Sequence, residues 1–461
     1  MKKPLLLFVT MLLLQYYAKA DPVEINGICY NLISKAKQAE VKSNSNEATG
    51  ENQYTGEIII PDSVEYEGAY YKVTSIADGA FSRCSGLTAI SFPSSITSIG
   101  EHAFYQCSGL KSVYIDDLVA WCKIKFANNE SSPFASAEHL YINGEEIKDL
   151  IIPSDVTSIE DNAFNNCACL TSLVISDGVT NIGNDAFRWC TGITSVIMAN
   201  SVTSIGVNSF MNCQRLESLE LSNNLSYISS YAFCGCNSLT SVVIPNSVKG
   251  ISLCAFMSCA LTSVTIGEGV TEIGRNAFQS CPLKSVVIPN SVNRIRDEAF
   301  MGCGQLVTIT MGNGVNSIQQ SAFAYCPEIT DVYCHATSVP ATSSNAFEGS
   351  YAEAITLHVP EAALENYKAT APWSGFKDVV AISPSGITKL EASETSVKCE
   401  DGQLTVEGID DGQTVELFTL NGEKRGTTIG KNGVAHINTD IQFGNIAIVK
   451  INNKSVKVII K

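Results

Sequence analysis

The sequence predicts a repeat solenoid, a coil with a parallel β-ladder and short helical turns, followed by a small antiparallel β-sandwich. Three observations carry this. A phenylalanine recurs about every 23 residues, the same apolar signature surrounds each copy, and the period stops after Ala381.

The chain opens with Lys2 and Lys3, an apolar run from Leu5 to Leu14, and Ala18-Lys19-Ala20 before Asp21. That run is too short to cross a bilayer of ~30 Å as a helix, so residues 1–20 read as a cleaved signal peptide and the expected location is secreted, on the outer cell surface. No later stretch is long and apolar enough to insert into a membrane. Apolar residues make up 45% of the 461 and charged residues 16%, a composition that folds. The net charge of −16 argues against nucleic acid or an anionic membrane as partner.

The marker phenylalanines are Phe81, Phe104, Phe164, Phe187, Phe210, Phe233, Phe256, Phe278, Phe300, Phe323 and Phe347, and only the step from Phe104 to Phe164 breaks the period. That interval, irregular over about 116–150, has Phe134 midway and reads as two modified turns of the same coil. Each unit begins L-x-x-V-x-I, as in Leu239 to Ile244 or Leu283 to Ile288. In an extended segment the fourth and sixth residues face one side and the third and fifth the other, so each opening is a short strand with one buried side. Pro245, Gly267 or Pro289 then ends it. A second inward pair follows at Val248/Ile251, Val270/Ile273 or Val292/Ile295. The unit closes with Ala-Phe-x-x-Cys, a spacing that suits one helical turn with its apolar side inward. One unit cannot bury such a face alone, whereas stacked units form a continuous core.

Ten of the 17 cysteines, Cys84, Cys107, Cys167, Cys190, Cys213, Cys236, Cys259, Cys281, Cys303 and Cys326, lie three residues after a marker phenylalanine. Equivalent sites on successive coils sit ~4.8 Å apart with parallel Cβ vectors, beyond the ~3.8 Å Cβ separation of a disulfide. The expectation is a ladder of buried reduced thiols acting as small apolar plugs, with a chain of disulfides as the alternative in an exported protein. A metal site needs ligands converging on one point, and this row is a line. Cys29 and Cys399 are open to pairing between molecules.

Chemistry is sparse. His102, His139, His335, His358 and His436 form no metal-binding or nucleophile-activating spacing, and no phosphate-binding glycine loop is present. Asp116-Asp117 and Asp410-Asp411 could hold calcium or act as acid/base pairs, but without calcium-loop spacing they read as solvated turns. The sequence calls for no enzyme activity, cofactor or metal.

The outward strand positions offer a surface instead. The third positions form a polar row, from Ser112 and Asp149 through Ser172, Ser195, Ser218, Ser241 and Ser263 to Ser285. The fifth positions include Tyr114, Val174, Ile197, Glu220, Val243, Val287 and Tyr333, the candidate binding face. Tyr114 and Tyr333 are its expected anchors and Glu220 a charged selector. β-branched residues also suit strands whatever the partner, so the same strip is open to a purely structural reading.

The recurring LTSVVIPNSV…IG…AF…C resembles the BspA-type leucine-rich repeats over about 58–360, which implies a right-handed leucine-rich-repeat coil. EINGICYNLISKAKQAEV, within 21–57, is similar to that family's N-terminal cap, and LHVPEAALENYKATAPWSGFKDVVAI to its final turn, giving a cap and linker over 361–386. The resemblance implies an exported adhesin-like protein contacting extracellular proteins or glycans of host or microbe. A structural cell-envelope or surface-assembly protein with no foreign ligand is the alternative. In 387–461 the alternating stretches QLTVEGI, TVELFTL and AIVKI, parted by Asp-Gly and Asn-Gly pairs, predict the β-sandwich. ELFTLNGEK and GNIAIVKINNKSVKVIIK resemble the sorting domain of the type IX secretion route, which implies export and surface retention. Gly444-Asn445-Ile446-Ala447 stand where that family commonly has an aromatic residue.

Overall fold

The computed structural model describes residues 22–44, 54–382, 396–400, 403–419, 424–438, 446–451 and 454–459. The chain divides into two compact units that part between Val380 and Ala381. The expected signal peptide lies outside the described residues.

The first unit is a parallel β-solenoid. Each L-x-x-V-x-I opening forms a strand paired in register with its equivalent one coil away: Ser172–Ile175 lies between Asp149–Ile152 and Ser195–Met198, with Val174 opposite Ile151 and Ile197. Its inward residues Leu173 and Ile175 are fully buried. A second ladder of two-residue strands carries the next inward position, running from Tyr227–Ile228 through Gly250–Ile251 and Glu272–Ile273 to Ala341–Thr342. Hydrophobic burial of these two rows holds the coils together, and parallel pairing satisfies their backbone.

The Ala-Phe-x-x-Cys segment refines the sequence reading. The Cys N–H does bond the Phe carbonyl three residues back, as from Cys190 to Phe187 at 3.3 Å, which is the bond of a tight helical turn. But from Phe81 to Phe323 the residues two before and two after each marker phenylalanine are left-handed, for example Asp185 (φ 53°) and Trp189 (φ 59°), so no helix propagates. Alternating hands aim every second N–H along the solenoid axis. Asp185, Phe187 and Trp189 donate to the carbonyls of Val207, Ser209 and Met211 in the next coil at 2.8 to 2.9 Å. The turn is thus a third inter-coil ladder. Spacing alone does not reveal it, because a helix and this alternation place the same side chains inward.

The phenylalanines stack down the core. From Phe164 to Phe347 neighbouring rings lie 5.2 to 5.5 Å apart and within 14° of parallel. Beside them runs the thiol row. Cys190, Cys213, Cys236, Cys259, Cys281, Cys303 and Cys326 are free and buried, and each donates its Sγ–H to the carbonyl of the preceding coil's phenylalanine at 3.1 to 3.4 Å. Ser350, at the same place in the last coil, donates to Phe323 at 2.6 Å. The row is therefore a set of small buried donors as well as apolar filler.

The irregular interval forms its coils with different parts. Asp117 caps the short helix Leu118–Trp121 by accepting from the Val119 and Ala120 N–H groups. Trp121 enters the aromatic column between Phe92 and Phe134, and its indole N–H donates to the Ala163 carbonyl at 2.9 Å. Phe134 stacks on Phe164. The strand His139–Ile142 continues the ladder from Ser112–Ile115, then turns at Asn143-Gly144, both left-handed, into Glu145–Glu146. That hairpin occupies the strand edge, and a new parallel sheet starts at Asp149–Ile152.

Both ends of the column are closed. Tyr54 packs on Phe81 at 4.9 Å, beneath an antiparallel arrangement of Val23–Ile25, Ile28–Ile33 and Gln38–Lys42. Trp373 and Phe376 meet Phe347 edge-on, held by the helix Leu364–Ala369 and its buried Tyr367. The strand Asp378–Ala381 ends the last sheet. Such lids shield an otherwise open core and strand edge.

In the second unit, Ser396–Glu400, Gln403–Glu407 and Val434–Asn438 form one antiparallel sheet. Lys424–Ile429, Thr414–Thr419, Ile446–Ile451 and Lys454–Ile459 form another. Leu404, Val406, Val415, Leu417, Ala435, Ile437 and Val449 make their common core, a small β domain.

Candidate binding face

Most polar letters of the repeat have a structural task. The threonine of L-T-S-V turns back onto the preceding coil: Thr194 Oγ1 donates to the Thr171 carbonyl at 3.1 Å, and Thr262 to Thr240 at 3.2 Å. The asparagine of I-P-N-S-V accepts from the next coil, Asn246 Oδ1 from the Glu268 N–H at 2.8 Å and Asn290 Oδ1 from Asn313 at 2.9 Å. Asp161 and Asn184 do the same for the N–H groups of Asn184 and Val207. These bonds satisfy turn amides that stacking would otherwise leave unpaired.

The fifth strand positions have no such task, and their identities vary from coil to coil. Ile151 is 60% exposed, Ile197 42%, Val243 63% and Val287 49%, with Val174 half-buried between the first two. Strand register sets Ile151, Val174, Ile197 and Glu220 in one line, with exposed Glu220 ending its apolar part. Val243 pairs with exposed Thr265, and Val287 with Thr310, Tyr333 and His358. Alongside, Ser172 and Thr171 donate to Asp149 Oδ1 at 2.6 and 2.8 Å and hold its carboxyl below the usual range.

The two expected anchors stand apart. Tyr114 belongs to the N-terminal sheet, which ends at the Glu145–Glu146 hairpin, and Tyr333 to the last one; at ~4.8 Å per coil they are separated by about 40 Å of ladder. Each is half-buried in its own ring pair. Tyr114 stacks on Tyr141 at 4.4 Å and 10°, and Tyr333 on His358 at 4.2 Å and 9°. The column spacing brings equivalent rings on adjacent coils face to face, so Tyr114 gives one face to Tyr141 and Tyr333 one face to His358.

Tyr141 was not singled out by sequence because His139-Leu140-Tyr141-Ile142 lacks the repeat's leading leucine. Its alternation before Asn143-Gly144 is the signal that marks it. His139 Nδ1 meets Glu146 Oε1 at 2.8 Å across the hairpin, and His358 Nε2 meets Asp331 Oδ1 at 2.9 Å. Of the other histidines, His102 meets Glu130 at 2.7 Å and His436 meets Thr405 at 3.1 Å. Asp410 accepts from the Gln413 amide, and Asp411 from the Gly433 N–H, both turn contacts. Among the described residues no three His, Cys, Asp or Glu side chains converge as metal ligands, and no helix is long and apolar enough to cross a membrane.

In-register strands, a buried aromatic column and an open strand face define a leucine-rich-repeat solenoid protein. The profile of the BspA type Leucine rich repeat region matches residues 69–132, 137–260 and 226–353, and the chain belongs to that family. No curated protein matches it. Solved structures that it resembles include a leucine rich cell surface protein of Faecalibacterium prausnitzii, 25% identical over 68% of this chain and 94% of that one, with a TM-score of 0.39. A leucine-rich repeat protein of Bacteroides ovatus is 20% identical over 78% of this chain and 99% of its own, with a TM-score of 0.44. The pneumococcal vaccine antigen PcpA is 15% identical over 79% and 99%, also with a TM-score of 0.44.

Proposed function

We propose that this is an exported cell-surface binding protein, adhesin-like, whose solenoid contacts extracellular proteins or glycans through the outward strand face. The observation that carries this is the line Ile151, Val174, Ile197: apolar side chains, in register and open to solvent, at positions the fold leaves unspecified. An exposed apolar strip costs solubility and gives the coil nothing, whereas a partner that covers it gains its burial. Flanking Ser172, Ser195 and Ser218 supply hydroxyls for polar contacts at the rim, and Glu220 excludes acidic partners from one end. Val243 and Val287 extend the contact along the ladder, with the Tyr114 and Tyr333 ring pairs as separate outer contacts.

The β unit after Ala381 is read as the export and retention module of the type IX route. Its support is the antiparallel unit whose last described strand, Lys454–Ile459, is lysine-rich, together with the sequence resemblance. Deleting 387–461 is expected to abolish surface display while leaving synthesis intact.

Binding of the full chain to arrayed matrix proteins, mucins and glycans tests the main reading, with an Ile197→Lys/Val243→Lys variant beside it. Saturable binding lost in the variant supports it. Binding that the variant retains refutes the strip. No binding, together with concentration-dependent self-association, replaces the adhesin reading with an envelope-assembly role.

A further inference from the structure

After Cys84, which opens the row, one thiol departs from the pattern. Every row cysteine from Cys190 to Cys326 gives its Sγ–H to the phenylalanine carbonyl of the preceding coil. Cys167 follows the irregular coil, and its Sγ instead lies 3.5 Å from the Sγ of Cys169. Cys167 is fully buried, while Cys169, on the turn before the strand Ser172–Ile175, is half-exposed. Every other described cysteine of the first unit is buried. The two sulfurs are thus a facing pair with one member open to solvent.

We propose that Cys167 and Cys169 form a thiol–disulfide exchange site that takes low-molecular-weight disulfides. The half-exposed Cys169 is the attacking group and the buried Cys167 the resolving one. In the first step Cys169 gives up its proton and its sulfur attacks one sulfur of the small disulfide. A mixed disulfide forms, the original S–S bond breaks, and one thiol departs carrying the proton. In the second step Cys167 gives up its proton and attacks Cys169 Sγ. The Cys167–Cys169 bond forms, the mixed disulfide breaks, and a second thiol departs. The protein loses two electrons and two protons, and the small disulfide gains both.

Geometry makes the second step short. The sulfurs need to close from 3.5 Å to a bond of ~2.05 Å, a movement within the reach of a side-chain rotation. Cys167 gives up no ladder bond when it reacts, unlike any of its counterparts from Cys190 onward. The shared hydrogen bond acts in the same sense: the Cys167 thiol donates toward Cys169 and lowers its pKa, while burial pushes the Cys167 thiol up. The attacking thiolate is therefore the accessible one. The inference is independent of what the strand face binds.

Trypsin cleavage after Lys148 and Arg188 yields the peptide 149–188, which contains these two cysteines and no others. The native full chain is incubated with oxidised glutathione, quenched in acid, alkylated under denaturing conditions and mapped by mass spectrometry. The expected result is loss of two hydrogens from that peptide, with the peptides of Cys213, Cys236 and Cys259 still alkylated. In Cys167→Ala the resolving thiol is gone, and a glutathione adduct on Cys169 should persist. Wild-type protein that keeps both thiols alkylatable, or that holds a stable glutathione adduct on Cys169, overturns the proposal. That outcome is read on the wild-type chain, so it stands even if the variant does not fold.

Discussion

Alkali should unfold this protein through its buried thiols. Burial pushes Cys107, Cys122 and Cys213 up to about 12 from the ordinary thiol value of 9.0. Between those values the unfolded chain has lost protons that the folded chain keeps, so stability is intact below pH 9 and falls as pH rises toward 12. At pH 10 each of these thiols costs about 1.4 kcal/mol of stability, and the three together about 4 kcal/mol, a large part of the ~5 to 15 kcal/mol typical of a domain. Cys190, Cys236 and Cys281 are pushed well above 9.0, chiefly by burial, and steepen the loss. Tyr30, Tyr54 and Tyr367, also raised by burial, act in the same sense at higher pH. Urea unfolding at pH 8, 9 and 10 with reductant present, followed by far-ultraviolet circular dichroism, measures the slope. Cys213→Ser, which cannot titrate, should reduce it by about half a proton averaged over pH 8 to 10. A free energy unchanged from pH 8 to pH 10, or a slope below one proton, would refute the reduced, buried ladder.

Two further outcomes follow from the core. Phe233 is fully buried between Phe210 and Phe256, each 5.4 Å away, so Phe233→Ala should lower the solenoid's unfolding free energy by ~3 to 5 kcal/mol in urea titration. Cys236→Ser should cost about 1 kcal/mol or less, because the new hydroxyl inherits the Phe210 carbonyl, as Ser350 uses that of Phe323. A loss above about 3 kcal/mol in thermal or urea unfolding would show that the row tolerates sulfur alone.

The sequence reading took Cys236 as a small apolar plug, and the structure gives its thiol a hydrogen-bond acceptor. The acceptor is a backbone carbonyl on a neighbouring coil, 26 residues away, and no side-chain pattern encodes where a carbonyl points. The same limit hid the left-handed residues around each phenylalanine. Asp185, Trp189, Ser258 and Tyr325 share no side-chain character, and they take that conformation because three N–H groups per coil find partners on the next. The anchors were half legible. Alternation correctly faced Tyr114 and Tyr333 outward, but their stacking on Tyr141 and His358, and their distance from one another, depend on which coils are adjacent.

By itself the sequence determined the period, the inward rows and hence the coil, because burial of Leu, Val, Ile and Phe at fixed spacing admits one stacked solution. It also determined that the last segment is a separate β domain, since alternation replaces the period after Ala381. Tertiary structure alone decided where the ladder breaks, at the Asn143-Gly144 hairpin and again after Ser218–Glu220 and Ser263–Ile266, and which rings meet across coils. Periodicity sets which side of the chain faces inward. Contacts between residues 22 to 30 positions apart depend on how consecutive coils lie on one another, and that is fixed only when the backbone of one has paired with the next.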